Sequence, residues 1–136
     1  MWVLDTDVVS HLRRPQRTDP KVAAWAGRQS VASFFISVIT LLEIERATQL
    51  MEQKDSAQGK VLRAWLDDQL LPHFSQRTLP IDPDIAKCCA RLHVPDPRPE
   101  RDAFIAATAI VHGLTVVTRN VTDFENTGAP ILNPWE

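Results

Sequence analysis

Carboxylates recur in this 136-residue chain at places where an acid is poorly explained by solvation alone. Asp5 and Asp7 follow the apolar run Met1–Leu4, Glu43 lies among Ile39, Leu42 and Ala47, and Asp123 follows Leu114–Thr118. Asp102 has Ile105, Ala106 and Ala109 as its i+3, i+4 and i+7 neighbours, so on a helix it points toward packing. Taken singly, each acid has an ordinary use. Asp5 can form a turn, Asp123 can cap the stretch Asn120–Glu125, Asp102 can favour a helix start, and Glu43 can pair with an arginine. Taken together they describe a site. Two carboxylates about 4–5 Å apart repel by roughly 4 kcal/mol at an effective dielectric near 20, so such a cluster calls for cations. Oxygen donors without His or Cys suit Mg²⁺ or Mn²⁺ in octahedral geometry, with waters and substrate phosphate oxygens completing the shell. The matching reaction is phosphodiester hydrolysis, in which one ion lowers the pKa of an attacking water and a second ion, if present, stabilises the leaving oxygen.

The elements that must position these acids are legible in the patterning. Met1–Asp5 reads as a buried strand, followed by helical patterning at Asp7–Leu12 that stops near Pro15. Asp19-Pro20 spells a cap and a first-turn proline for a helix through Trp25 to Gly27, and Ala32–Ile36 reads as a second strand. Ser37 is the natural N-cap of a long helix from Val38 to about Gln53, and a second long helix runs from about Ser56 to Leu71, ending at Pro72. These two are expected to form a helical hairpin at about 38–71. Thr78–Ile81 is a weak strand, demoted by Pro80. A helix through Leu92 follows Asp82-Pro83, and the proline-alternating Val94–Pro99 is expected to run extended. A helix from Glu100 to His112 closes at Gly113, and strands follow at Leu114–Thr118 and Pro130–Leu132.

Strands alternating with helices predict a central parallel sheet covered on both faces, a three-layer α/β/α domain spanning residues 1–136. In such sheets sites form beyond the carboxyl ends of the strands, where the strand order switches direction. Asp5, Glu43 and Asp123 all fall after strands.

Composition narrows the function classes. With 44% hydrophobic and 24% charged residues the chain suits a compact globular fold, and no apolar run reaches the roughly 18–20 residues of a membrane span. The acidic start Met1–Asp5 is unlike a secretory signal, which predicts a cytoplasmic protein without a membrane role. A net charge of −2 argues against binding nucleic acid through a broad basic face, though not against an approach through a metal. Arg13, Arg14, Arg98 and Arg119 are candidate phosphate contacts, and Arg17 and Arg101 also lie close in sequence to the acids. Cys88 and Cys89 are adjacent and read as buried thiols, and the scattered histidines give a zinc site little support.

The same residues resemble a known family, the PIN-domain ribonucleases, and among them the VapC-type toxins of bacterial type II toxin–antitoxin pairs. The resemblance covers nearly the whole chain. It is carried in order by Val3-Leu4-Asp5-Thr6-Asp7, by Ile36-Ser37-Val38-Ile39-Thr40-Leu41-Leu42-Glu43, by Arg101-Asp102-Ala103-Phe104-Ile105-Ala106-Ala107-Thr108-Ala109, and by Val117-Thr118-Arg119-Asn120-Val121-Thr122-Asp123-Phe124. By this similarity Asp5, Glu43, Asp102 and Asp123 match an acidic quartet that is both metal-binding and catalytic. The resemblance implies a Mg²⁺- or Mn²⁺-dependent endoribonuclease, an RNA substrate, homodimers, and a cognate antitoxin that holds the toxin inactive in a hetero-oligomer. One departure is Asp7, where such toxins usually carry Asn. Thr6, Asp7, Ser37, Thr40 and Thr118 are candidates for orienting the acids or metal waters from behind, with capping an equal explanation of Ser37. Trp65 and Leu70, on the helical hairpin, are candidates for an apolar partner surface, with core packing as the alternative use.

Rival readings attach to the same residues. Leu4-Asp5-Thr6-Asp7 resembles the nucleophile motif of haloacid-dehalogenase-type phosphatases, in which Asp5 would attack phosphorus. A receiver-type phosphorylation module matches in size but lacks an evident lysine after a later strand. A catalytically inactive PIN-fold binding module is the non-enzymatic reading.

Overall fold

The computed structural model describes residues 1–136, with all side chains except that of Pro15. The strands β1 (Trp2–Leu4), β2 (Phe34–Ser37), β3 (Thr78–Leu79), β4 (Thr115–Val117) and β5 (Ile131–Leu132) form one sheet in the order β3-β2-β1-β4-β5. Every pairing is parallel. β1 is central, and the chain leaves it first toward β2 and β3, then crosses to β4 and β5 on the other side. The switch in direction therefore falls between β1 and β4, the place where an open α/β sheet leaves a crevice.

Alternation along the strands feeds two cores. Leu4, Phe34, Ile36 and Val117 pack on one face with Val8, Val9, Trp25, Ile44, Leu66, Leu70 and Phe74. Val3 and Val116, one residue away in each strand, pack on the other with Ile105, Ala106, Ala109, Leu114 and Phe124. Ile36, Leu66 and Ile105 are fully buried, each worth about 1.5–3 kcal/mol relative to an exposed position. Cys88 and Cys89 are buried free thiols beside Ile85, Ala103 and Ala107. No helix among the described residues is long and apolar enough to cross a membrane.

The helices begin where caps allow. Asp5 caps α1 (Thr6–Leu12), Asp19 caps α2 (Pro20–Gly27), and Ser37 caps α3 (Val38–Lys54) by accepting from the Ile39 N–H at 3.0 Å. Asp55 ends α3 in extended backbone and caps α4 (Ser56–Trp65), accepting from the N–H groups of Ala57 and Gln58 at 3.1 Å each. One non-helical residue thus turns the hairpin. A short helix α5 (Leu71–His73) follows, then α6 (Pro83–Leu92) and α7 (Glu100–His112), which closes on the left-handed Gly113.

Several boundaries differ from the sequence expectation for identifiable reasons. The second strand starts at Phe34 because Val31–Ser33 form a 3₁₀ turn. The helix expected to stop at Leu71 continues through Pro72 to His73, because Leu66–Leu70 widens into a π turn in which the Leu71 N–H donates to Leu66 O, five residues back. A proline ring clashes with the carbonyl four residues earlier, and the wider turn relieves that clash. β3 stops at Leu79, before the donor-less Pro80, and the expected strands Leu114–Thr118 and Pro130–Leu132 shorten to their paired cores. Val94–Asp96 bends rather than running extended, with a cis Val94–Pro95 peptide, because the connector has to reverse the chain between the packed helices α6 and α7.

The hairpin of α3 and α4 is held close by a glycine and an arginine. A Cβ placed on Gly59 would lie 2.5 Å from Glu52 Cα, so only glycine permits this approach. Arg63 then forks to Glu45 at 2.8 and 2.7 Å and reaches Glu52 at 2.9 Å, with Asp67 at 3.6 Å. Glu45 and Glu52 hold the Arg63 guanidinium more firmly protonated than usual. Gly59→Ala is expected to destabilise the fold by about 1–3 kcal/mol through overpacking. Gly27→Ala, with nothing within 4 Å, serves as the neutral control. Thermal denaturation checks this, and equal midpoints for the two variants would contradict it.

Candidate active site

Parallel pairing places Leu4 opposite Val117, and the Asp5 N–H donates to Val117 O at 2.9 Å. The residues just past the two strands, Asp5 and Thr118, are therefore brought together at the switch point. The Thr118 hydroxyl donates to Asp5 Oδ2 at 2.8 Å, and the Thr6 N–H donates to Oδ1 at 2.8 Å. Both carboxylate oxygens of Asp5, which is 6% exposed, are thus oriented from the frame. Burial raises the Asp5 pKa, the Thr118 and Thr6 hydrogen bonds pull it down, and the charges of Glu43 and Asp7 raise it further.

Glu43 arrives from α3. Its Oε1 accepts from the Thr6 hydroxyl at 2.8 Å, and the buried Thr40 hydroxyl lies 3.1 Å from that of Thr6. With one proton to give, Thr6 donates to the carboxylate and takes the proton of Thr40. The Arg101 guanidinium stands 3.6 Å from the other oxygen, Oε2. Asp102 enters from the first turn of α7, where Ala103, Ile105, Ala106 and Ala109 behind it are buried. Burial first, then the negative charges of Asp5, Asp123 and Glu43, push its pKa up to about 6. Asp123 comes from a 3₁₀ turn, Val121–Phe124, that starts where the Asn120 N–H donates to Thr118 Oγ1 at 3.0 Å.

The result is an open cleft of about 490 Å³ lined by Asp5, Thr6, Asp7, Ser10, Glu43, Asp102, Asn120 and Asp123. The sequence reading assigned no role to Ser10 or Asn120. Ser10 lies one helical turn beyond Asp7, and Asn120 follows Thr118 by two residues, so both could have been found by following each acid one turn onward. The lone pairs offered by this lining are on oxygen, with no His or Cys among the lining residues, a donor set that fits a hard divalent cation. Among the described residues no group of three or more His, Cys, Asp or Glu side chains stands close enough together to hold an ion by itself, so waters or substrate oxygens would have to complete a shell here. Mg²⁺ sites are commonly of this kind, with one or two carboxylates, several waters and substrate phosphates.

The remaining candidates sit in other surroundings. Asp7 borders the cleft with its side chain 41% exposed and pairs with His11 at 3.5 Å. Ser37 is fully buried and spends its hydroxyl on the α3 cap, outside the cleft lining. Arg98 is committed to the fold: its guanidinium donates to the carbonyls of Leu92, Glu125 and Asn126 at 2.9–3.1 Å, tying the α6–α7 connector to the C-terminal loop. Arg119 stacks over Trp135 at 5.1 Å, and Arg13 over Trp65 at 5.7 Å. The Arg14 carbonyl accepts from Thr18, and the Arg17 N–H donates to Arg14 O. Leu70, buried in the core, and the partly buried Trp65 packed against that core both line a separate apolar groove with Leu12, Arg13, Phe34 and Phe74.

Residues 2–129 match the model of the PIN domain. The chain belongs to the PIN-domain family. Three relatives align along essentially the whole chain. Plasmid stability protein StbB of Pseudomonas syringae pv. tomato is 36% identical, with 100% of this chain and 99% of that protein covered. VapC ribonuclease Y4jK of Sinorhizobium fredii is 33% identical, with the same coverage. Toxin FitB of Neisseria gonorrhoeae is 32% identical, with 99% of each covered. The crystal structure of FitAcB from Neisseria gonorrhoeae superposes on this PIN domain with a TM-score of 0.90 at 32% identity, covering 100% of this chain and 99% of that one. The dehalogenase and receiver readings have no comparable support. In the former, the acid two residues after the nucleophile should serve the reaction, and here Asp7 turns to His11 at the rim.

The raised pKa of Asp102 makes a signed prediction. A carboxyl whose folded pKa lies above its unfolded value binds more protons when folded, so stability falls as pH rises from about 3.8 through about 6. Asp102→Asn is expected to raise the melting midpoint by about 3 °C or more at pH 7.5 in EDTA, the difference shrinking toward zero below pH 4. Melting curves taken across that range check it, and a constant offset between the two proteins would refute it.

Proposed function

We propose that this PIN domain is a Mg²⁺- or Mn²⁺-dependent endoribonuclease and the toxin of a toxin–antitoxin pair, acting in the cytoplasm as a single nuclease domain over residues 1–136. The observation that carries the chemistry is the convergence of Asp5, Glu43, Asp102 and Asp123 on one oxygen-lined cleft at the switch point. The toxin and ribonuclease roles are supported by the full-length likeness to proteins named VapC ribonuclease and Toxin FitB. A cognate antitoxin partner and a homodimer complete the proposal.

Asp5 and Asp102 are the principal metal-holding residues, with Glu43 and Asp123 completing the acidic rim. A bound divalent cation would supply Lewis-acid polarisation of the phosphodiester and activation of water. The chain's own groups do the positioning. Thr118 and the Thr6 N–H hold the Asp5 oxygens, leaving their remaining lone pairs to face the cleft. Thr6 fixes one oxygen of Glu43. Burial and the charges of Asp5, Asp123 and Glu43 push the Asp102 pKa up to about 6, so a cation held there would favour its charged form. The open cleft admits a phosphodiester backbone whose bases splay outward, so single-stranded or looped RNA suits it better than a duplex.

Purified protein is expected to cut a structured RNA pool with Mg²⁺ or Mn²⁺ and not with EDTA. Asp5→Ala and Asp102→Asn, confirmed folded, are expected to lower the rate at least about 10²-fold, since each removes a group that positions the reactants. Gel analysis of the fragments checks this. Equal cutting by wild type and both variants would assign the activity to a contaminant and defeat the proposal.

A further inference from the structure

Arg101 is a cation in an unfavourable place. It occupies the second position of α7, where the unpaired N–H groups of the helix start repel positive charge. It stands at the edge of the acidic cleft, where its Nη1 lies 3.6 Å from Oε2 of the lining residue Glu43. Among the described residues this is its one ion pair. Three of the other arginines are saturated by comparison. Arg63 forks onto two carboxylates, Arg77 donates to the carbonyls of Val31, Phe34 and His73, and Arg98 donates to three carbonyls. Arg101 is 46% exposed and its contact is long, so the pair is solvent-screened and exchangeable. Glu43 is held differently at its two ends. Oε1 is fixed at 2.8 Å by the Thr6 hydroxyl, whereas Oε2 has only the loosely held guanidinium.

We propose that Arg101 is a substrate-contacting residue that holds Glu43 Oε2 until a divalent cation takes that oxygen, and then turns to the phosphodiester of the substrate. The proposal rests on the metal-dependent nuclease reading. A guanidinium and a divalent cation at the same carboxylate repel each other, so a cation at Glu43 would weaken the already long and screened Arg101 contact. Freed from Glu43, the guanidinium at the start of α7 would offer a planar fork that matches two oxygens of a phosphate. The exchange also keeps charge in step: the cleft gains a cation when its carboxylates need one, and a phosphate arrives where an arginine has been freed.

The two roles give opposite signs to one substitution, which a merely structural residue would not do. Arg101→Gln is expected to tighten Mn²⁺ binding in calorimetric titration without RNA by about threefold or more, because the competing cation is gone. The same variant is expected to lose about tenfold or more in kcat/KM for RNA at saturating Mn²⁺, because the phosphate contact is gone. Arg101→Lys, which keeps the charge without the fork, should match wild type in Mn²⁺ affinity and recover part of the RNA activity. Unchanged or weaker Mn²⁺ binding by Arg101→Gln, or unchanged kcat/KM, would overturn the assignment while leaving the nuclease reading intact. Wild-type protein that neither binds Mn²⁺ nor cuts RNA would overturn the nuclease reading and this one with it.

Discussion

Carboxylates repel one another, and the PIN domain holds several of them against that repulsion. The elevated pKa of Asp102, traceable to burial and to the charges of Asp5, Asp123 and Glu43, is the mark of this strain. What resists it is a chain of short contacts that crosses the fold. Thr118, just past β4, bonds Asp5 past β1; the Asp5 oxygen takes the N–H of Thr6; and the Thr6 side chain reaches Glu43 on α3. Each link joins a different element, so moving Asp5 or Glu43 away from the other means breaking contacts that cross the sheet edge. The cluster is an imposed negative potential, and the free energy it costs in folding is what makes it receptive to a cation.

That imposition requires stiff elements behind it, and each has a separate source of stiffness. β1 and β4 feed alternate residues into two cores, so the backbone at Asp5 and Thr118 is pinned on both faces. Asp102 rides on a helix whose inner stripe is small and wholly buried, which lets α7 lie close to the sheet and fixes where its first turn ends. α3 is supported over its length by α4, at a distance only Gly59 allows and with Arg63 as the clasp. Its support runs from Glu45, two residues past Glu43, to Glu52 near the far end of the helix. A long helix transmits orientation along its axis, so a clasp at Glu45 and Glu52 bears on where Glu43 points.

The parts of this arrangement governed by local rules were legible in the sequence. The caps at Asp19, Ser37 and Asp82, the left-handed Gly113 and the alternation of strand and helix each follow from one or two adjacent residues. The acids could be grouped because a parallel sheet sends the residue after every strand to the same edge. What stayed hidden depends on contacts between distant residues. Arg98 looks like any surface arginine beside prolines, and only the approach of the Glu125–Asn126 loop gives its guanidinium three carbonyls to bind. The passage of a helix through Pro72 was equally invisible, since the π turn that permits it is a cooperative solution involving the buried Leu66 and Leu70. Thr118 needed the register between β1 and β4 before its hydroxyl could be assigned to Asp5.

The same electrostatic limit explains what the chain does with its extra acid. Asp7, at a position where VapC-like chains usually carry Asn, would add a further negative charge to a cleft already strained by its own. Its side chain remains 41% exposed and pairs with His11 one turn along α1. His11 in turn meets the edge of Trp135 at 5.2 Å, and that ring carries Arg119 on its face. Asp7 is thereby joined to a rim of two basic side chains organised around one aromatic ring, and this rim ties the C-terminal segment to the last turn of α1. Water and a nearby imidazole lower the cost of its charge, whereas the centre of the cleft, where Asp5 is nearly dry, could not. The extra acid is tolerated because it sits at the exposed rim of the cleft, where its charge still acts on Asp5 but is itself hydrated.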